Sequence, residues 1–198
     1  MLKIGLTGGL GSGKSTIAHI FEVLGIPVYY ADAASKKLMN EDEKLKVAVQ
    51  NLFGKEVYPE GKLDRKYLAK IVFKDEKKLE LLNSIVHPAT LLNAAEWMKQ
   101  QTSPYAIKEA ALIFESGAHK SLDYVIGVKS PLELRLQRTI QRDNISKDDA
   151  MARITKQMDE EAKINLCDFV IINDEEQIVI PQVLKIHHKI LHLCKVQN

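Results

Sequence analysis

The stretch GLTGGLGSGKST, residues 5–16, decides how this chain reads. It follows the apolar run Leu2-Lys3-Ile4 and places four glycines between Gly8 and Ser15. Glycine loses more backbone freedom on folding than any other residue, so such a run costs stability unless something requires it. Gly8-Gly9-Leu10-Gly11-Ser12-Gly13-Lys14-Ser15 fits G-x-x-x-x-G-K-[ST], a loop whose backbone N–H groups converge on a polyphosphate with no Cβ in the way. A helix starting at about Lys14 adds its unpaired N–H groups and its dipole to the same anion. Lys14 then supplies a point charge for the β- and γ-phosphates, and Ser15 a hydroxyl for Mg2+. The competing reading is a glycine-rich turn that matches by chance. Context argues against it, because an apolar strand precedes the loop and an amphipathic helix follows. Ile17, Ile20, Phe21 and Leu24 recur at helical spacing until Gly25 ends the pattern. The loop therefore predicts a nucleoside triphosphate held with magnesium.

Outward from the loop, further apolar runs at residues 27–31, 105–114 in part, 124–128 and 169–172 read as strands. Several are continuously apolar, as parallel strands covered on both faces are. Helical patterns separate them, which predicts an α/β fold with a parallel sheet. The interval between the second and third strands is too long for one crossover helix. Leu63, Tyr67, Leu68, Ile71 and Val72 make one apolar face there, and Leu79, Leu82, Ile85 and Val86 another. Pro59-Glu60-Gly61 marks a turn, and His87-Pro88 is expected to break the second helix and restart a third. An inserted helical subdomain follows from this pattern. Residues 131–166 form another helical region, with a break expected at Asp143-Asn144.

The whole composition bounds the partners. The 198 residues carry 28 basic and 26 acidic side chains, a formal net charge of +2 that leaves no electrostatic footprint for nucleic acid. Cys167 and Cys194 are too far apart in sequence for a metal or redox motif and read as idle thiols of a reducing compartment. No basic-then-apolar leader and no apolar run of about 18 residues is present, so the expectation is a soluble cytoplasmic protein without membrane partners. His188 and His192 lie at i, i+4, yet two histidines without further ligands read as packed or solvated side chains.

Three phosphate chemistries compete: a small-molecule kinase, a GTP switch and an ATPase motor. The chain lacks the Asn/Thr-Lys-x-Asp and Asp-x-x-Gly stretches that a GTPase of the usual type carries. Glu115, after Ala111-Leu112-Ile113-Phe114, could pass for a motor's acid. The helical insertion and the arginine-rich segment with Arg135, Arg138 and Arg142 suit a kinase better. Asp32 ends the second strand, at the edge where ligands collect in open α/β sheets. It can take a proton from an attacking hydroxyl, or simply cap a helix starting at Ala33. Arg138 and Arg142 share a helical face, either solvated or closing over a transferring phosphate.

At this point the residues resemble the dephospho-CoA kinase family. The likeness begins with residues 6–16, continues through Leu24-Gly25-Ile26-Pro27-Val28 and Ala31-Asp32, and includes Gly61-Lys62-Leu63-Asp64-Arg65, Leu68, Phe73, Leu82-Asn83 and His87-Pro88. It extends through Leu112-Ile113-Phe114-Glu115, Arg138-Thr139-Ile140-Gln141-Arg142-Asp143, Gln157, Asp168-Phe169-Val170-Ile171 and Asn173, in one register over about residues 2–174. The resemblance implies a P-loop NTPase three-layer fold with a five-stranded parallel sheet, an inserted helical substrate subdomain and a helical lid. In a single kinase domain, the nucleotide core would take residues 1–32, 100–134 and 166–198, the CoA-binding insertion 33–99 and the lid 135–165. It implies ATP-dependent phosphorylation of the ribose 3′-hydroxyl of dephospho-CoA. Gly11, Ser12, Gly13, Lys14, Ser15, Thr16, Arg138 and Asn173 would hold ATP, and Ser15 the magnesium. Asp32 would be the catalytic base beside Lys14 and the lid arginine Arg142. His87 would either contact the acceptor or only fix a helix break. Kinases of other small acceptors and a nucleotide-gated binding module are the alternatives. The chain departs from the family where Tyr30 stands in place of a commoner aspartate and Ala111 in place of a proline. The Lys108-Glu109 pair inside an apolar run has no sequence-level account.

Overall fold

The computed structural model describes residues 1–72 and 75–196, so Phe73 of the family-like set lies outside the described residues. In chain order, the first elements are β1 (Leu2–Gly8), α1 (Lys14–Val23), β2 (Val28–Tyr30), α2 (Ala31–Glu41), α3 (Glu43–Phe53), α4 (Arg65–Val72) and α5 (Glu76–Lys99). There follow β3 (Tyr105–Glu109), β4 (Tyr124–Lys129), α6 (Leu132–Asp143), α7 (Lys147–Thr155), α8 (Glu160–Asn165), β5 (Phe169–Ile172) and α9 (Val179–Val196). They divide into two compact units. One is Met1–Tyr30 together with the chain from Gln100 onward, the other Ala31–Lys99.

The first unit is built on a parallel sheet in the order β2-β3-β1-β4-β5. Its strands are nearly all apolar because both faces are covered. Ile4, Leu6, Ile107, Ile126 and Ile171 are fully buried, together with Ile17 and Phe21 of α1 and Val183 and Ile190 of α9. Tyr105, also fully buried, satisfies its hydroxyl on His187 Nδ1 of α9 at 2.7 Å. The loop's strand, β1, lies between β3 and β4, so its carboxyl end opens at the middle of the sheet edge.

Lys108 and Glu109 are both buried, in register with Gly5 and Leu6 of β1 and with Tyr29 and Tyr30 of β2. Burial pushes the Lys108 ammonium below the usual lysine range. β3 ends at Glu109, earlier than the apolar run suggests. Beyond it the chain turns back, with Ser116 donating through N–H and Oγ to the Leu112 carbonyl at 3.0 and 2.6 Å. The expected break at Asp143-Asn144 is present. Asn144 ends α6 in the left-handed region (φ 51°), and the Ser146 hydroxyl accepts from the Asp149 N–H at 3.1 Å to start α7.

The second unit is helical. Leu45, Val49, Val57, Tyr58, Leu68, Val72, Leu82 and Val86 form its core, and the Tyr58 hydroxyl donates to the Met39 carbonyl at 2.7 Å. Two expectations are corrected here. His87-Pro88 does not break a helix, since α5 runs through both. Proline removes one N–H and crowds the preceding turn. Yet Leu82, Val86, Thr90, Ala94 and Met98 keep one buried face past it, and Thr90 Oγ1 donates to the Val86 carbonyl at 2.8 Å. Continuous burial outweighs one missing backbone bond. Asp32 is not the cap of a helix starting at Ala33 either, because α2 begins at Ala31 and holds Asp32 inside its first turn. No helix among the described residues is long and apolar enough to cross a membrane.

Candidate active site

Between β1 and α1 the backbone makes two left-handed steps, at Gly11 (φ 78°) and at Gly13 (φ 92°). A Cβ on Gly11 would run into the Arg135 carbonyl, and one on Gly13 into the Asn173 amide. Gly13 is the residue ahead of α1, so no side-chain oxygen caps the helix, and its first turn carries no acid. The N-terminal N–H groups are thus left for an anion rather than for the chain's own carboxylates. Lys14 is buried, with its ammonium 3.5 Å from the Gly9 carbonyl. Ser15 and Thr16 are exposed. These residues open on a cleft of about 510 Å3 that Arg138, Gln141 and Arg142 complete from α6.

The donor set fits a magnesium-bearing triphosphate. Loop N–H groups and a buried lysine suit the phosphate oxygens, while one exposed hydroxyl suits a cation that keeps most of its waters and takes phosphate oxygens as ligands. Ser12 Oγ, in the same loop, is buried and has no hydrogen-bond partner among the described residues. Among those residues no group of three or more His, Cys, Asp and Glu side chains could hold a metal by itself.

The residues predicted for the nucleotide are brought together from segments far apart in sequence. Asn173 follows β5, and its side-chain amide donates to the Ser12 carbonyl at 2.8 Å. Arg138 donates to Ser130 Oγ at 3.1 Å and pairs with Glu175 at 2.9 Å. Arg142 lines the cleft and forks onto Asp143 at 2.8 and 3.2 Å, and Asp143 also pairs with Arg153 at 3.1 Å. Asp32 and His87 belong to the second unit. Asp32 is exposed in the first turn of α2 and His87 half-buried in α5.

Sequence reading missed the side chains that fasten this loop. Buried Arg135 donates from Nε to the Leu10 carbonyl at 3.1 Å and pairs with Glu160 at 2.7 Å. Gln157 Oε1 accepts from the Leu10 N–H at 2.8 Å. Lys163, with 1 % of its side chain exposed, pairs with Glu115 at 2.8 Å and donates to the Ala111 carbonyl at 2.9 Å. Glu115 also accepts from the Met158 N–H at 3.0 Å. Burial alone would raise the Glu115 carboxyl, but the Lys163 hydrogen bond, backbone N–H groups and the Lys163 charge hold it below the usual carboxylate range. Gln157 and Glu115 stood in the family-like set without a role. The signal for Arg135 was only its place in a basic segment.

A five-stranded parallel sheet with a glycine loop running into a helix between its first two elements, faced by helical arginines, defines a P-loop kinase. Comparisons with known proteins carry this further. The family model described as Dephospho-CoA kinase matches residues 2–178. A protein named dephospho-CoA kinase from Bacteroides fragilis is 39 % identical over 202 residues, covering 100 % of this chain and 98 % of that one. Among solved structures, the dephospho-CoA kinase from Campylobacter jejuni aligns with a TM-score of 0.70 at 30 % identity, over 96 % of this chain and 97 % of its own. A Thermus thermophilus protein aligns at 0.84 with 32 % identity, over 95 % and 96 %. The chain belongs to the dephospho-CoA kinase family, ATP-dependent transferases of coenzyme A synthesis.

Proposed function

We propose that this chain transfers the γ-phosphoryl group of ATP to the ribose 3′-hydroxyl of dephospho-CoA, giving coenzyme A and ADP in the cytoplasm. The observation that carries the reading is the cleft at the N-terminus of α1, where Lys14 and Ser15 face Arg138 and Arg142. Residues 11–16 would cradle the triphosphate, with Lys14 compensating charge on its outer phosphates and Asn173 holding the loop by the Ser12 carbonyl. Mg2+ would sit on Ser15 and phosphate oxygens, where it neutralises charge that develops on the transferring group. Arg138 would lie along the nucleotide and Arg142 would compensate charge on the γ-phosphate from a lid of residues 135–165. The insertion, residues 33–99, would hold dephospho-CoA, with His87 in contact with it.

Asp32 is assigned as the general base. It follows the last residue of β2 by two positions and keeps its carboxylate exposed. Accepting the proton of the attacking hydroxyl requires an acid that the fold has not already used as a cap or in an ion pair. Positioning and charge compensation supply most of the acceleration, since phosphoryl transfer needs little covalent help. The test is ATP consumption by purified protein with and without dephospho-CoA, with the product phosphate located on the ribose. Consumption that requires dephospho-CoA and yields a 3′-phosphate is expected. Equal consumption without it, or turnover of adenosine, AMP or shikimate instead, overturns the reading.

A further inference from the structure

One residue of the phosphate loop, Leu10, is held at its N–H, its carbonyl and its side chain by the segment 135–157. Its N–H donates to Gln157 Oε1 at 2.8 Å and its carbonyl accepts from Arg135 Nε at 3.1 Å. Its side chain packs against the buried cluster of Leu136, Ala150 and Ile154 from α6 and α7. Arg135 reaches this place only because Gly9 has no side chain, since a Cβ there would collide with the guanidinium. Arg135 is in turn tied to Glu160, and the chain beyond Gln157 to Glu115 by the Met158 N–H and Lys163.

An N–H already donated to Gln157 is not among those free to turn toward phosphate. What it contributes is shape. A glycine-rich loop in isolation samples many conformations, and a ligand that selects one of them loses affinity by the ordering it must impose. With the two peptide groups flanking the Leu10 Cα gripped, one at its N–H and the other at its carbonyl, the loop is ordered before ligand arrives. We propose that Gln157 and Arg135 are positioning residues that preset the phosphate loop through Leu10, so that helices α6–α8 and the loop hold one shape in common. This deepens the kinase reading and rests on ATP being the loop's ligand.

The test uses the full chain with Gln157→Met, which keeps the side chain's length but has no acceptor oxygen. Gln157 is half-buried, so the variant is expected to fold. Three quantities are measured: hydrogen exchange of the Leu10 amide, the ATP dissociation constant, and kcat with KM for each substrate. Faster Leu10 exchange, an ATP dissociation constant raised about tenfold (the worth of one good hydrogen bond), and unchanged kcat and dephospho-CoA KM are expected. Faster exchange with unchanged ATP affinity overturns the proposal, as does unchanged exchange. A general loss of thermal stability with exchange faster across α6–α8 also overturns it, by making Gln157 merely structural. Failure of the wild-type chain to bind ATP strikes the kinase reading itself and is seen before any variant is compared.

Discussion

The two units bury different things. Among the described residues, every buried charged side chain (Lys14, Lys108, Glu109, Arg135 and Lys163) lies in the first unit. The buried polar residue of the second unit is Thr90, which returns its hydroxyl to its own helix. Removing a charge from water costs several kcal/mol unless partners replace the water. The first unit buries five such side chains and must supply partners for them. Three of those five bear on the loop or on the segment that fastens it. The helical unit, by contrast, packs leucine, valine and tyrosine around an apolar centre and keeps its charges outside. The first unit carries the glycine-loop cleft and the buried charges, and the second is held together by ordinary burial.

That contrast can be broken in order of expected effect. Asp32→Asn places the largest effect in the helical unit, where the contrast says chemistry should be sparse. We expect kcat to fall about 10²–10⁴-fold with the circular dichroism unchanged, and near-normal turnover would remove the base. Leu68→Ala probes ordinary burial. Deleting a core leucine costs about 3 kcal/mol, to be read from urea midpoints, with hydrogen exchange rising mainly within residues 31–99.

Glu115→Gln tests a charge pair instead and should cost about 2 kcal/mol, the worth of a hydrogen bond to a charged group. The Glu115 carboxyl is held below its ordinary 4.5, so its contribution is fully present above that pH and lost as pH falls through the lower folded-state value. The difference between wild type and variant should therefore shrink in acid, and a pH-independent difference would rule out the ion pair as its source. Lys108→Met should have the smallest effect, and a favourable one. Burial lowers the Lys108 ammonium, so the folded state gives up its proton before the unfolded state does. Wild-type stability then rises with pH from the folded-state value up to about 10.5. The variant should melt higher at neutral pH, with the gain fading as pH approaches 10.5.

Much of the first unit was legible because its signals are local. The loop motif, the apolar runs and the break at Asp143-Asn144 each sit within a few residues of what they control. In the second unit the apolar faces of α4 and of the first part of α5 were plain from their spacing, whereas α2 and α3 were not read individually. What misled was a local rule meeting a tertiary fact. Proline at 88 is a helix breaker in isolation, yet the buried face from Leu82 to Met98 carries the helix through it. The candidate site was legible in its loop and not in its supports. Nothing in the neighbourhood of Gln157 or Arg135 says that both will meet Leu10, because their partner lies 147 and 125 positions away.

The order of residues alone determined that a polyphosphate loop would join a strand to a helix, since the spacing of glycines, lysine and serine is a local condition on the backbone. It did not determine why Gly9 and Gly11 must lack side chains in this chain. Tertiary structure decided that, by packing Arg135 against both. The physical reason is range: backbone conformation follows from neighbours in sequence, whereas burying a charge demands partners that only the folded chain can bring within hydrogen-bond distance.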